Sequence, residues 1–284
     1  MKLLYCSDLH GNEGHYARLV VLAARQCPEV IVLGGDMLPD DSALDPRQMG
    51  HGQPRFVHHQ FRELITALRS ASKCKAVLVI FGNHDWTSSL TAMEELAGQG
   101  LVTILDHKKS VDVGGVGFVG YSCTPPTPWY VKDFERLDQA GDRPPLLGGG
   151  RWDQRFSRAT SHSAEYLFED APTIADDLAD IHVPADPWVF VAHAPPFETL
   201  LDRTHGRIPW GSRAVLAVIE KHQPMLSLHG HVHESHAVTG EYRQDIGKTT
   251  AINAGQTRAK LNYVLVEFDV SGRKVTQVQH GRQS

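Results

Sequence analysis

Leu3-Leu4-Tyr5-Cys6-Ser7-Asp8-Leu9-His10-Gly11-Asn12 opens the chain with the pattern that decides its fold. A short apolar run, suited to a buried strand, stops at a polar cluster. Glu13 to Gln26 then follows with the spacing of an amphipathic helix. The same grammar recurs. Val30 to Leu33 reads as a strand ending in Gly34-Gly35-Asp36, and Ala76 to Phe81 as one ending in Gly82-Asn83-His84-Asp85. Helices are expected near Phe56 to Ser70 and over Leu90 to Ala97. Strands alternating with helical stretches make this an α/β chain.

Farther along, Val102 to Leu105, Ser110 to Val113 and Val116 to Tyr121 read as short strands. Trp188 to Ala192 runs into His193-Ala194-Pro195-Pro196, and Met225 to Leu228, after a helix over Ser212 to His222, runs into Gly230-His231-Val232-His233. Strands are expected to close the chain at Ala237 to Tyr242, Thr249 to Asn253, Tyr263 to Asp269 and Lys274 to Gln279. Ser122 to about Arg158 breaks the rhythm with Thr124-Pro125-Pro126, Trp129-Tyr130, Pro144-Pro145 and Gly148 to Gly150. An irregular stretch that long reads as a lid, a binding loop or disorder, with a helix or two following between about Ala159 and Leu178. No repeat and no linker divides the chain. A single domain over 1–284 is expected, with inserted loops at about 37–55 and 122–160.

Composition narrows the function. A net charge of -5, with no stripe of Lys and Arg, argues against long duplex nucleic acid as a partner. The four cysteines lack CxxC spacing and read as reduced, mostly buried thiols. Met1 to Tyr5 is too short for a signal peptide, and no later run approaches the ~18 apolar residues of a membrane span, so a cytoplasmic protein without membrane contact is expected. The 17 histidines stand out against 28 Lys and Arg, and many cluster beside glycines after apolar runs.

Those clusters carry the chemistry. Ligand sites in open α/β sheets lie at the carboxyl ends of strands, so the polar clusters converge on one spot. That spot offers aspartates, an asparagine and histidines without cysteine, a donor set for borderline first-row divalent ions. Asp8 and His10, two apart at a strand end, can share an ion, as can His231 and His233. Each residue alone has a plainer reading. Asp8 could cap a helix, Asn83 could serve a turn, and His193 could be an ordinary loop histidine. Together those readings would need repeated accidents at the same sheet edge.

In this order, Asp-x-His, Gly-Gly-Asp, Gly-Asn-His-Asp, a lone His after a strand and Gly-His-x-His, the blocks resemble the calcineurin-like metallophosphoesterases from Asp8 to His233. The resemblance implies two mixed β-sheets packed face to face with helices outside. It implies one metal on Asp8, His10 and His233, another on Asn83, His193 and His231, and Asp36 bridging them. His84 would sit beside the pair as a proton donor, oriented by Asp85. Two divalent ions (manganese, iron or zinc) would share a water, lower its pKa to near 7 and let it attack phosphorus as hydroxide.

The expected reaction is hydrolysis of a small phosphodiester; a cyclic nucleotide, a nucleotide-derived diester and a phospholipid fragment all stay open. Phosphomonoesterase or nuclease activity at the same site is the alternative, and an inert binding scaffold the rival from another class. The sequence leaves oligomeric state open. Asn12 is either a phosphate contact or a helix cap. His229 and His236 are second-rank candidates beside the Gly-His-Val-His block. Trp129, Tyr130 and Trp152 either stack on a leaving group or pin their loop. Arg151, Arg155, Arg158 and Arg258 are candidate phosphate contacts.

Overall fold

The structure is a computed structural model and describes every residue except Ser42, Ala43, Pro46 and Ser284. Two six-stranded sheets form its centre. In chain order the strands are β1 (Lys2–Cys6), β2 (Val30–Gly34), β3 (Ala76–Ile80), β4 (Thr103–Ile104), β5 (Val111–Val113), β6 (Val116–Tyr121) and β7 (Gly149–Asp153). They continue as β8 (Arg158–His162), β9 (Trp188–Ala192), β10 (Leu226–His229), β11 (Arg243–Ile246), β12 (Thr249–Asn253), β13 (Leu261–Asp269) and β14 (Lys274–Gln283). The first sheet runs β14-β13-β1-β2-β3-β4, and the second β11-β12-β10-β9-β6-β5. Each is mixed. β1 to β4 run parallel while β13 and β14 oppose them, and β6, β9, β10 and β12 run parallel between antiparallel β5 and β11.

Period-two alternation builds the layers. In β1, Leu3 and Tyr5 meet the second sheet in the central core, whereas Leu4 and Cys6 face the outer helices. Val30 and Val32 likewise point inward and Ile31 and Leu33 outward. Opposite them, Val189 and Val191 enter the same central core. Trp188, Phe190 and Ala192 pack on the far side, under the helices Ile174–Ala179 and Arg213–His222. Strands buried on both faces must be apolar throughout, which is why these runs show no polar alternation. The expected pair of face-to-face mixed sheets with outer helices is the observed architecture.

Most element boundaries agree with the sequence reading. The helix Glu13–Gln26 is capped by Asn12, whose side chain accepts from the His15 amide, and a left-handed Cys27 ends it. Asn12 is therefore the cap. All four cysteines are free, and Cys6 and Cys74 are buried. Among the described residues, no helix is long and apolar enough to cross a membrane.

Three expectations change. Ala237 to Tyr242 is not a strand: a short helix spans Ser235–Thr239, and the strand starts at Arg243. Gly240 ends that helix at φ 83, returning its amide to the His236 carbonyl, a conformation that costs glycine least. Second, 122–160 is not one irregular loop. It contains the hairpin of β7 and β8, turned where the Asp153 carboxylate accepts from the Arg155 and Phe156 amides. The helix expected from Ala159 consequently starts at Ala164, capped by Ser163. Third, the helix near Phe56 begins at Gly52 and carries a π-helical turn over Val57–Phe61. Of the expected 37–55 insertion, Ser42, Ala43 and Pro46 lie outside the described residues.

Candidate metal centre

The strand ends converge. Asp8 follows β1, Asp36 β2, Asn83 and His84 β3, His193 β9, and His231 and His233 β10. Strain marks the same places. Asp8, His10, Asp36 and His231 all adopt left-handed φ, from 44° to 66°. Such backbone costs a non-glycine residue of order 1 kcal/mol or more and persists where the surroundings fix it. The reward is close approach. Gly82 lies so near Asp36 and His193 that an added Cβ would stand 2.3 Å from Asp36 Oδ1 and 2.6 Å from His193 Nε2.

Asp8, His10, Asp36 and His233 bring one donor atom each to within 4.8 Å of one another, a group that could hold a metal ion. His233 Nε2 is 3.3 Å from Asp8 Oδ1, and His10 Nε2 is 3.2 Å from His233 Nε2. His193 Nε2 lies 3.3 Å from Asp36 Oδ2, the same oxygen that faces His10 Nε2 at 3.8 Å. His231 Nδ1 is 2.8 Å from Asn83 Oδ1, and the His231 amide donates to Asp8 Oδ1. Asp8, His10, Asp36 and His233 thus form one group, His193 adjoins it through Asp36, and His231 and Asn83 adjoin it through Asp8.

The electrostatics suit cations. Burial opposes charge on Asp8 and Asp36, but the histidines beside them hold both carboxyls below the usual carboxylate range. Burial pushes His231 down to about 3 and His10 to about 4, leaving neutral rings that offer lone pairs. His193 moves the other way: burial is outweighed by Asp36 and Asp8, raising it to about 9. Its Nδ1 donates to the Gly34 carbonyl, which aims Nε2 at the carboxylates, where that buried nitrogen has no hydrogen-bond partner. A proton on His193 thus sits where a divalent cation would balance the same carboxylates. Two carboxylates, opposed imidazole nitrogens and an unpartnered buried nitrogen fit metal ions better than they fit one another.

His84 stands edge-on to His10, with ring centroids 5.1 Å apart. Burial works against its charge, but Asp36 and then Asp40 raise it to about 9. The carboxylate facing its Nδ1 belongs to Asp40, at 3.6 Å. Asp85 has a different task from the one expected. Its oxygens accept from the Leu38 and Gly82 amides, tying the ends of β2 and β3 together. Burial, with Asp36 next, raises the Asp85 carboxyl to about 7.

Other candidates sort clearly. Trp129 lines the cavity over the carboxylates and lies 5.7 Å from the His84 ring, whereas Tyr130 packs on Trp86 and Trp152 on His51, pinning their loop. Arg258 lines that cavity; Arg151 bonds the Leu167 carbonyl, and Arg155 and Arg158 flank Phe156. His229 is buried, its Nδ1 placed on the Ala192 and Ala194 carbonyls, and His236 packs against His280. Asp40 and Trp210 are new. The signal for Asp40 was its place four residues after Asp36, and for Trp210 a bulky ring between Pro209 and Gly211.

The sequence pattern of the calcineurin-like phosphoesterases matches residues 1–235. The chain belongs to that family. It is a family of phosphate-ester hydrolases, and membership accords with the paired strand-end ligands. The UPF0046 protein K07C11.7 of Caenorhabditis elegans is 42% identical over 84 residues, or 29% of this chain. That match spans only 27% of the relative's length. Among solved structures, TT1561 of Thermus thermophilus superimposes over 99% of this chain and 98% of its own, with a TM-score of 0.57 and 17% identity. A dimetal phosphatase from Danio rerio covers 100% and 99%, with a TM-score of 0.51 and 14% identity. At such identities, both likenesses speak to the fold.

Proposed function

We propose that this chain is a single-domain, two-metal phosphodiesterase acting on small esters, nucleotides among them. One observation carries the reading: Asp36 Oδ2 faces His193 at 3.3 Å and His10 at 3.8 Å, the position of a carboxylate bridging two ions. Asp8, His10 and His233 would complete one site, and Asn83, His193 and His231 the other. Manganese, iron or zinc suits these oxygen and imidazole donors. When bound, the pair supplies positive charge for the phosphoryl oxygens and a water acidic enough to attack near neutral pH.

The chain's own residues do the rest. His84, with Nδ1 turned to Asp40, lines the cavity over the carboxylates. As the bond from phosphorus to the leaving oxygen breaks, that oxygen takes the His84 proton. Asp40 stabilises the cationic ring before transfer. Preference for diesters follows from charge. Among the residues lining this cavity Arg258 is the one Lys or Arg, against Asp40 and Glu234 besides the ligands. A monoester dianion would meet little added positive charge there, whereas a diester carries one negative charge fewer. Free cysteines suit a reducing compartment, which supports a cytoplasmic location.

The test is turnover of bis-p-nitrophenyl phosphate and p-nitrophenyl phosphate with and without manganese. Manganese-dependent hydrolysis, stopped by chelation and faster on the diester, is expected. Faster hydrolysis of the monoester would contradict the diester assignment.

A further inference from the structure

The cavity over the carboxylates, about 770 Å³, shares Trp210 and His231 with a second cavity of about 380 Å³. We propose that this second cavity is the subsite for the organic group that the substrate retains on phosphorus, and that it takes a flat ring. The assignment rests on reading the centre as a phosphodiesterase. His84, which protonates the leaving oxygen, belongs to the His10 side, whereas the second cavity opens beside His231. A substituent leaving the phosphate past His231 meets Trp210 next. The indole lies nearly parallel to the His231 ring, 23° apart with centroids at 6.4 Å, and remains 37% exposed.

One part of the wall is flat and apolar, beside the charged Asp138, Asp142, Arg143 and Arg213. Pro125 and Pro126 come from one loop, Phe197, Pro209 and Trp210 from another, with Leu137 between. Prolines have no N–H to donate, so these surfaces reward ring faces rather than polar groups. The size falls in the range of small-molecule sites, roughly 300–1,000 Å³. Among the described residues Arg143 lines the cavity without an ion-pair or hydrogen-bond partner and can meet an acceptor on a ring edge. Arg213 is already engaged by Asp138 and Asp142.

The slot is also built in advance. Buried Asp138 accepts from Ser212 Oγ at 2.5 Å, the Arg213 amide at 2.8 Å and Arg213 Nε at 3.1 Å, joining the loop that carries Pro125 to the one that carries Trp210. The Trp210 amide donates to the Asp202 carbonyl, and the Gly211 amide to the Asp202 carboxylate. Loops fixed before a ligand arrives lose little entropy on binding it.

The test compares methyl, hexyl and phenyl p-nitrophenyl phosphate, which share a leaving group and differ only in the retained one. With manganese, Trp210→Ala should lower kcat/KM for the phenyl ester roughly tenfold or more, chiefly through KM, as expected for a lost stacking face. The methyl ester should lose less than about threefold, and Trp210→Phe should restore most of the phenyl rate. Equal losses on methyl and phenyl esters would overturn the subsite, and a hexyl loss matching phenyl would overturn the ring. If wild-type protein turned over none of them, the hydrolase reading would fail on its own. The slot would then be judged by calorimetry of phenyl phosphate against methyl phosphate. Weaker binding of phenyl phosphate alone in Trp210→Ala supports it, and unchanged binding overturns it.

Discussion

Replacing Gly82 by alanine inserts one methyl group directly against Asp36 and His193. The new Cβ would stand 2.3 Å from Asp36 Oδ1, 2.5 Å from the Asp36 amide nitrogen and 2.6 Å from His193 Nε2. Ordinary contact begins at 3.4 Å, so the carboxylate must retreat by roughly 1 Å, and the nearby Asp36 backbone cannot swing aside. Overpacking of this kind costs about 1–3 kcal/mol. At ~2–4 °C per kcal/mol for a chain near this size, the melting temperature should fall by several degrees without loss of the fold. Activity should suffer more, because displacing groups at a reacting centre by about 1 Å can cost on the order of 10²-fold. The assay is manganese-dependent diester turnover beside a thermal melt. Gly98→Ala is the control, since a Cβ there meets nothing within 4 Å. Both rate and melting temperature should stay near wild type. A Gly82→Ala enzyme within about twofold of the wild-type rate would refute the inference that Asp36 and His193 act together at the centre.

Other outcomes follow from the same geometry. His84→Ala should slow an alkyl ester by about 10²-fold or more and an aryl ester with a good leaving group far less, as a lost general acid would; rates on the two esters check it. Metal binding should release protons. His193 is raised to about 9 without metal, so below that pH the ion held at His193 must displace its proton, and affinity there should climb with pH and level off near 9. Calorimetry in buffers of different ionisation enthalpy measures this. Lys132→Met would strand Glu135, whose carboxylate lies 2.8 Å from the buried Lys132 ammonium, and should cost about 3–5 kcal/mol. Burial raises the Glu135 carboxyl to about 7, so the folded state holds its proton more tightly than the unfolded chain. Losing Lys132 removes a charge that holds this carboxyl down, so the variant's stability should fall as pH rises from the ordinary carboxylate range toward and past 7, and urea melts at pH 5 and 8 should differ accordingly.

The fold was legible where burial leaves the chain no choice. Strands covered on both faces, such as Val30 to Leu33 and Trp188 to Ala192, must be apolar runs, and their ends must turn polar. The candidate ligands were legible for the same reason, since each one follows such a run. What stayed hidden depends on contacts between distant segments. Val238 and Thr239 suit a strand locally, but Gly240 closes a helix there. The β7–β8 hairpin lies in sequence whose glycines and arginines show no strand pattern. Asp85 adjoins His84 in sequence, yet backbone amides claim its oxygens, and the carboxylate facing His84 comes from Asp40 on another loop.

Protein loaded with manganese, crystallised and measured at an X-ray energy where manganese scatters anomalously, puts the question most directly. Two peaks should flank the Asp36 carboxylate, one against Asp8, His10 and His233 and the other against Asn83, His193 and His231. A single peak, or two that leave Asp36 untouched, would contradict the paired-ion centre.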